Sequence, residues 1–263
     1  MDLGISGRVA LVCGSSSGLG RATAQLLAKE GCRVALNGRH DDRLNEAAKA
    51  IRSAGGKEVV TFRADVSEPD EAEDMVKKVK DHFGSVDILV CNAGGPPAVQ
   101  FVNAQADNWQ AALDLNLLST IHLCRAAVPH MRKHRWGRIV CITSIAAKQP
   151  MAGLILSTTA RAGVMGFAKT LADELAPEGI TVNTVCPGFI KTERVEDLAH
   201  QRSKQTKRST AEELSGFVAD IPVGRMGEPD ELAAAVAFLA SERASYITGV
   251  ALQVDGGYIR SIV

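Results

Sequence analysis

The chain has 263 residues, 46% of them hydrophobic, with 30 basic and 30 acidic side chains giving a formal net charge of +0. That balance sets aside nucleic acid and the anionic membrane surface as default partners. No apolar run reaches the ~18 residues that a spanning helix needs, and the length suffices for one large buried core. The start of the chain has no basic stretch running into a long apolar one, so no secretory signal is expected. Cys13, Cys32, Cys91, Cys124, Cys141 and Cys186 form no C-x-x-C pair and lie mostly in apolar runs. Buried, reduced thiols in a cytoplasmic protein are the expectation, and no cluster of metal-ligating residues stands out.

In chain order, the first apolar run, over 9–13, leads into Cys13-Gly14-Ser15-Ser16-Ser17-Gly18-Leu19-Gly20 and a helical pattern over 19–30. Glycines between a strand and a helix permit a tight turn. They also let backbone N–H groups at the helix start approach a diphosphate. The second run, 33–37, ends in Gly38-Arg39. An enzyme of NAD would place a carboxylate here to hold the ribose 2′-hydroxyl, whereas a guanidinium suits a 2′-phosphate. Arg39 therefore points to NADP(H), with Ser15 as an additional hydroxyl contact. The alternative for Arg39 is a solvated charge at a helix entry.

A helical pattern over 42–54 precedes the third run, 58–62, which is followed by Asp65-Val66. After a helix over 68–83, the fourth run, 87–91, is followed by Asn92-Ala93-Gly94. A long helical pattern over 106–134 contains Asn116, and the fifth run, 138–143, ends at Ser144. A helix over 155–176 opens with Ser157 and Arg161, one turn apart on one face. The sixth run, 181–186, leads into Pro187-Gly188, with Ile190 and Thr192 just beyond. The stretch 191–220 is polar and carries Arg202, Lys204, Lys207 and Arg208. It is expected to be either a substrate lid after a strand end or a solvated surface loop. A helix over 229–240 and a last run over 250–254 complete the alternation. Strands alternating with helices predict an α/β fold: one doubly wound domain over 1–263, a seven-stranded parallel sheet with helices on both faces.

This ordered set of motifs resembles the short-chain dehydrogenase/reductase family, with its Rossmann-type fold, and within it the β-ketoacyl-carrier-protein reductases. The resemblance runs from Gly7 to Tyr258 and includes Pro222-Val223-Gly224-Arg225 and Asp255-Gly256-Gly257 near the end. It implies a cofactor turn made by Gly14, Ser15, Ser17, Gly18, Leu19 and Gly20. It further implies Asp65 and Val66 at the adenine, and Asn92, Ala93 and Gly94 bordering the cofactor. Pro187, Gly188, Ile190 and Thr192 would lie at the nicotinamide and phosphates. Asn116 would hold a water of a proton relay, and Ser144 would hydrogen-bond a substrate carbonyl. The family usually carries Tyr-x-x-x-Lys where this chain has Ser157 and Arg161. Arg161 would still bond the nicotinamide ribose, but serine is a far weaker acid than tyrosine and arginine keeps its proton near neutrality. The only tyrosines, Tyr246 and Tyr258, lie near the C-terminus: Tyr246 is expected to pack, and Tyr258 follows the Asp-Gly-Gly turn, where the chain end could approach a neighbouring subunit or supply a substitute acid.

Three readings follow. The chain is an NADP-dependent oxidoreductase of a carbonyl or alcohol (3-oxoacyl-type or a related small ketone) with atypical proton handling. There the proton would come from water at Asn116, or from Lys148 or His200. Alternatively it is an NADP-binding protein with little turnover, acting as sensor or assembly partner. In a third reading it acts on an imine or an already polarised carbonyl that needs no strong acid. The basic residues of 191–220 either attract an anionic substrate or are solvated surface. Arg132, Lys133, Arg135 and Arg138 form a second basic group where a carrier protein could dock. The resemblance also implies a homotetramer formed through 106–134, 155–176 and the C-terminal segment.

Overall fold

The computed structural model describes residues 2–262. Seven strands, β1 (Val9–Val12), β2 (Arg33–Gly38), β3 (Val59–Arg63), β4 (Ile88–Cys91), β5 (Gly137–Ile142), β6 (Ile180–Pro187) and β7 (Ala251–Val254), form one sheet in the order β3-β2-β1-β4-β5-β6-β7. All six pairings are parallel. The sheet, its direction and its two helical faces agree with the expectation.

The strands are apolar on both sides because both sides are covered. Successive side chains point to opposite faces. Val9, Leu11, Cys13, Leu89, Cys91, Ile139 and Cys141 pack under α3 (Pro69–Phe83), α5 (Ser119–His134) and α6 (Ile155–Leu175). Ala10, Val12, Val34, Leu36, Val90 and Val140 pack under α1 (Gly18–Lys29), α2 (Asp41–Ser53) and α9 (Pro229–Leu239). All six cysteines are free and buried. Burial first, and then neighbouring thiols, pushes the Cys13 thiol well above its ordinary range, and burial pushes Cys32 up to about 12.

Two segments depart from the expected elements. The helix expected over 106–134 is interrupted. Helix α4 (Ala106–Leu113) passes through a π-helical turn, Asp114–Leu118, into α5. Side-chain hydroxyls cover carbonyls at this wider turn: Ser119 Oγ donates to Leu115 O at 2.6 Å and Thr120 Oγ1 to Asn116 O at 3.0 Å. Such turns are common at functional sites, and this one carries Asn116. The polar stretch after β6 is no irregular loop. It folds as α7 (Glu193–Thr206) and α8 (Thr210–Ala219), the second started by a capping box between Ser209 and Glu212. Phe189 stacks on Phe217 at 4.5 Å, and Arg202 pairs with the buried Glu213 at 2.8 Å. The hairpin thus has its own small core with Ile145, Val195, Met226 and Ile259.

The basic group near the end of α5 is also corrected. Arg138 is only 2% exposed, so it is no part of a docking surface. It donates to the carbonyls of Ser241, Gly137 and Gly179 and pairs with Glu242 at 3.3 Å. Arg132 pairs with Glu178 at 2.9 Å, and Arg135 donates to Pro177 O at 2.8 Å. Arg138 thus ties β5 to the chain beyond α9, and Arg132 and Arg135 tie the end of α5 to 177–178, just before β6. Arg138→Ala leaves buried carbonyls unsatisfied and is expected to cost about 3 kcal/mol of unfolding free energy. Glu242 is half exposed, and Glu242→Ala is expected to cost about 1 kcal/mol. Urea unfolding of both variants against the parent checks the order.

Candidate active site

Between β1 and β4 the strand order reverses, and a crevice opens at the carboxyl ends of the strands. The glycine turn lies at its floor. Gly14 and Gly18 have φ of 56° and 53°, a left-handed conformation that glycine adopts without strain. Gly20 packs so closely that a Cβ there would lie 2.2 Å from Gly14 O. Asn92 Nδ2 donates to Cys13 O and Gly14 O, both at 3.2 Å, fixing β4 to the turn. Helix α1 begins after Ser17 with no side-chain cap and no acid in its first turn. Its first N–H groups and positive end therefore suit an anion.

Ser15 is a correction. It is fully buried, its hydroxyl receives the N–H of Asn37 at 3.0 Å, and it faces Asn37 O at 3.3 Å. It braces β1 against β2 rather than facing a ligand. Ser17, Gly18, Leu19, Arg39, Asn92, Ala93, Gly94, Pro187, Gly188, Ile190 and Thr192 line one cavity of about 430 Å³. An adjoining cavity of about 480 Å³ is lined by Gly14, Arg39, Asp65, Val66 and again Asn92 to Gly94. Arg39 is well exposed and stands 3.8 Å from Asp65. Burial pushes the Asp65 carboxyl up, but bonds from Ser67 and the charge of Arg39 bring it below its ordinary value. The loop after β6 is held by Lys191 N to Gly227 O at 2.9 Å and Gly227 N to Phe189 O at 3.0 Å. This places the Thr192 methyl 3.6 Å from where a Cβ on Gly18 would stand.

The four positions expected to carry chemistry are brought together. Gly94 O accepts from Asn116 Nδ2 at 2.8 Å and from Arg161 Nη2 at 3.4 Å. Arg161 Nη1 donates to the buried Ser157 Oγ at 2.6 Å. Ser144 Oγ accepts from Ala146 N at 3.0 Å, capping the short turn Ile145–Ala147. Each serine oxygen thus accepts from the protein and retains its own proton to donate, and both line the cavity of about 430 Å³. Asn116 Oδ1 is buried with no protein partner. It borders a cavity of about 10 Å³, together with Thr143 and Arg161, which has room for roughly one water. Burial, and then the charge of Arg194, lowers the Arg161 guanidinium to about 10, so it remains a cation at neutral pH.

The other expected proton sources lie elsewhere. Lys148 Nζ donates to Ala251 O at 3.1 Å, and Tyr258 packs edge-on against Phe189 at 5.4 Å. Neither these nor the exposed His200 line the cavity. Among the lining residues that escaped the sequence reading are two arginines. Arg43, one turn after Arg39, faces Glu193 at 3.8 Å across the mouth. Arg194, in the first turn of α7, reaches back to Pro96 O at 2.7 Å. Its position two residues past Thr192 was the available signal.

Among the described residues, no three His, Cys, Asp or Glu side chains are grouped as a metal site would need. No helix there is long and apolar enough to cross a membrane. Residues 14–259 match the family described as enoyl-(acyl carrier protein) reductase. The chain is 39% identical over 257 residues to a 3-oxoacyl-[acyl-carrier-protein] reductase of Synechocystis sp., covering 97% of this chain and 98% of that one. It is 38% identical over 255 residues to the corresponding reductase of Vibrio cholerae, with 97% and 98% covered. L-sorbose reductase from Gluconobacter frateurii, solved with NADPH and L-sorbose, superposes with a TM-score of 0.94 at 37% identity over 100% of both chains. An actinorhodin polyketide ketoreductase with NADPH gives 0.94 at 35% identity, covering 97% and 98%. With its glycine turn, its parallel sheet and these near-full-length likenesses, the chain belongs to the short-chain dehydrogenase/reductase family.

Proposed function

We propose that this protein is an NADP(H)-dependent oxidoreductase that interconverts a carbonyl and an alcohol, with a proton path that does not use a tyrosine. The observation that carries the reading is convergence on one cleft. The uncapped start of α1, Arg39, Ser144 and the Ser157–Arg161 pair all face it. The residues present fit the dinucleotide. The turn Gly14–Gly20 and Thr192 would receive the diphosphate, Asp65 and Val66 the adenine, and Arg39 the 2′-phosphate. Arg161 would reach the nicotinamide ribose. When bound, NADPH supplies a hydride to the carbonyl carbon, and one proton must reach the carbonyl oxygen.

Ser144 and Ser157 are placed to donate hydrogen bonds to that oxygen. Arg161, fixed on Ser157, stabilises negative charge developing there. Neither hydroxyl is an acid of useful strength near neutrality, so the proton itself comes from water. The unpartnered Asn116 Oδ1 and the water-sized cavity beside Arg161 support a relay at that point. The hairpin α7–α8 serves as the substrate lid of a single domain over 1–263, and the protein works in the cytoplasm. A homotetramer is favoured because β7 presents an unpaired edge, with Val250 and Leu252 each more than a third exposed. The likeness to 3-oxoacyl and sugar reductases makes a small ketone or 3-oxoacyl compound the first substrate class to assay. The competing reading, a cofactor binder with little turnover, is favoured by the loss of a strong acid at Ser157.

NADPH is expected to bind more tightly than NADH. Arg39→Ala should weaken NADPH about tenfold and leave NADH unchanged, as read by cofactor fluorescence titration. Gly20→Ala drives a methyl into Gly14 O and should weaken both cofactors at least about tenfold in the same titration. Steady-state reduction of a ketone panel separates enzyme from binder. Ser157→Ala should lower kcat about tenfold with NADPH affinity retained, whereas equal trace rates in parent and variant would assign the binder role.

A further inference from the structure

Arg161 and Arg194 enter the cleft from different walls, one from α6 and one from the first turn of α7. They come to two residues, Gly94 and Pro96, on either side of Gly95 in the loop after β4. Arg161 Nη2 lies 3.4 Å from Gly94 O, and Arg194 Nη2 lies 2.7 Å from Pro96 O. Between them, the Arg194 guanidinium covers Gly95 so closely that a Cβ there would stand 2.8 Å from Nη2. Both side chains are half-buried. Elsewhere in the protein an arginine drawn away from water has a carboxylate, as Arg138 has Glu242 at 3.3 Å and Arg33 has Glu58 at 2.8 Å. Among the described residues neither Arg161 nor Arg194 has an ion pair within 4.0 Å, and both bond only neutral oxygens. Asp197, one turn along α7, is the carboxylate whose charge acts on Arg194. The charge acting on Arg161 is that of Arg194 itself. Two like charges converging in a half-buried cleft are costly unless an anion joins them.

We propose that Arg161 and Arg194 form a carboxylate clamp, and that the substrates are short oxo acids whose carboxylate stands one or two carbons from the carbonyl. The proposal rests on the carbonyl-reductase reading above. The spacing sets the substrate's length: Arg161 Nη1 is 2.6 Å from Ser157 Oγ, so an anion on this guanidinium stands beside the hydroxyl that meets the carbonyl oxygen. A guanidinium fork matches a carboxylate with two parallel hydrogen bonds, and serine leaves open the space that a larger side chain at 157 would fill. Ile145, Met151, Leu154 and Phe189 give the wall an apolar part that suits a short hydrocarbon end, while the carboxylates Glu193 and Asp197 line the same cavity from α7. The diphosphate of a cofactor has its own place at the uncapped start of α1, beside Thr192. Arg194 is then a specificity residue, and the lid carries the substrate's counter-charge.

The test compares acetoacetate with methyl acetoacetate, and pyruvate with methyl pyruvate, as NADPH-dependent substrates of the parent and of Arg194→Gln. The parent should prefer each acid about tenfold or more in kcat/KM. Arg194→Gln should erase that preference by slowing the acids, with the esters and NADPH affinity unchanged. Equal use of acid and ester by the parent overturns the clamp. So does a variant that slows acid and ester alike while weakening NADPH, because Arg194 would then serve the cofactor. Calorimetric titration of oxamate and malonate into the protein with NADP⁺ separates the two levels of the claim. If no ketone is reduced but oxamate or malonate binds and Arg194→Gln abolishes the binding, the clamp stands and the reductase reading falls. If neither anion binds, the clamp falls whatever the turnover.

Discussion

One backbone oxygen holds the candidate site together. Gly94 O, just past β4, takes a hydrogen bond from Asn116 on the π-helical turn and another from Arg161 on α6. A carbonyl has two lone pairs, and both are used. The strand end, the α4–α5 junction and α6 are thereby set in register at one point. Arg161 in turn fixes Ser157, and the Asn116 side chain, anchored by its nitrogen, turns its oxygen toward the water-sized cavity. Every polar group assigned a part in proton movement, apart from Ser144, is positioned directly or at one remove by this atom. Its own placement depends on Asn92, which ties the same loop to the glycine turn. The glycine turn and the Asn116–Arg161–Ser157 group are thus joined through one short segment, 92–94.

The electrostatics of the site follow from an exchange of one kind of group for another. A phenol beside an ammonium would form a tunable acid. A hydroxyl beside a guanidinium forms a hydrogen-bond donor beside a permanent cation. Burial lowers Arg161 only to about 10, so the charge is present throughout the neutral range. On the proposed reading, the site would stabilise an oxyanion and the proton would come from a separate carrier. The second cation, Arg194, extends the same positive field toward α7.

Much of this architecture was legible because it is local. Strand runs covered on both faces are continuously apolar, and the turn before α1 carries its glycines at fixed spacing. Arg39 follows β2 directly. What was not legible depended on packing between distant segments. The fully buried hydroxyl of Ser15 answers to Asn37, 22 residues away, so its orientation has no local signature. The hairpin over 191–220 hid behind polar composition, although Ser209 and Glu212 stand at the spacing of a capping box. Its helices are secured by Phe189, Phe217 and Ile259, which lie apart in the chain. The π-helical turn replaces one hydrogen-bond spacing by another without changing the apolar pattern. Arg138 looked like surface charge because its partners, Ser241 and Glu242, arrive from more than a hundred residues away.

The buried thiols have a consequence of another kind. Alkylating reagents attack thiolates; burial holds Cys13, Cys32, Cys124 and Cys186 away from that form, and for Cys91 hydrogen bonds with Cys124 and Cys141 do so first and burial second. Cys13, Cys91, Cys124 and Cys141 belong to one apolar layer beneath the crevice, while Cys32 packs in the layer on the opposite face of the sheet. The folded protein is therefore chemically dark to such reagents, and any labelling that does occur marks a molecule that has opened. The two layers carry separate reporters, Cys32 on one side and the four-thiol group on the other. The order in which they become modified would record which half of the sandwich loosens first, without a dye, a tag or an introduced residue.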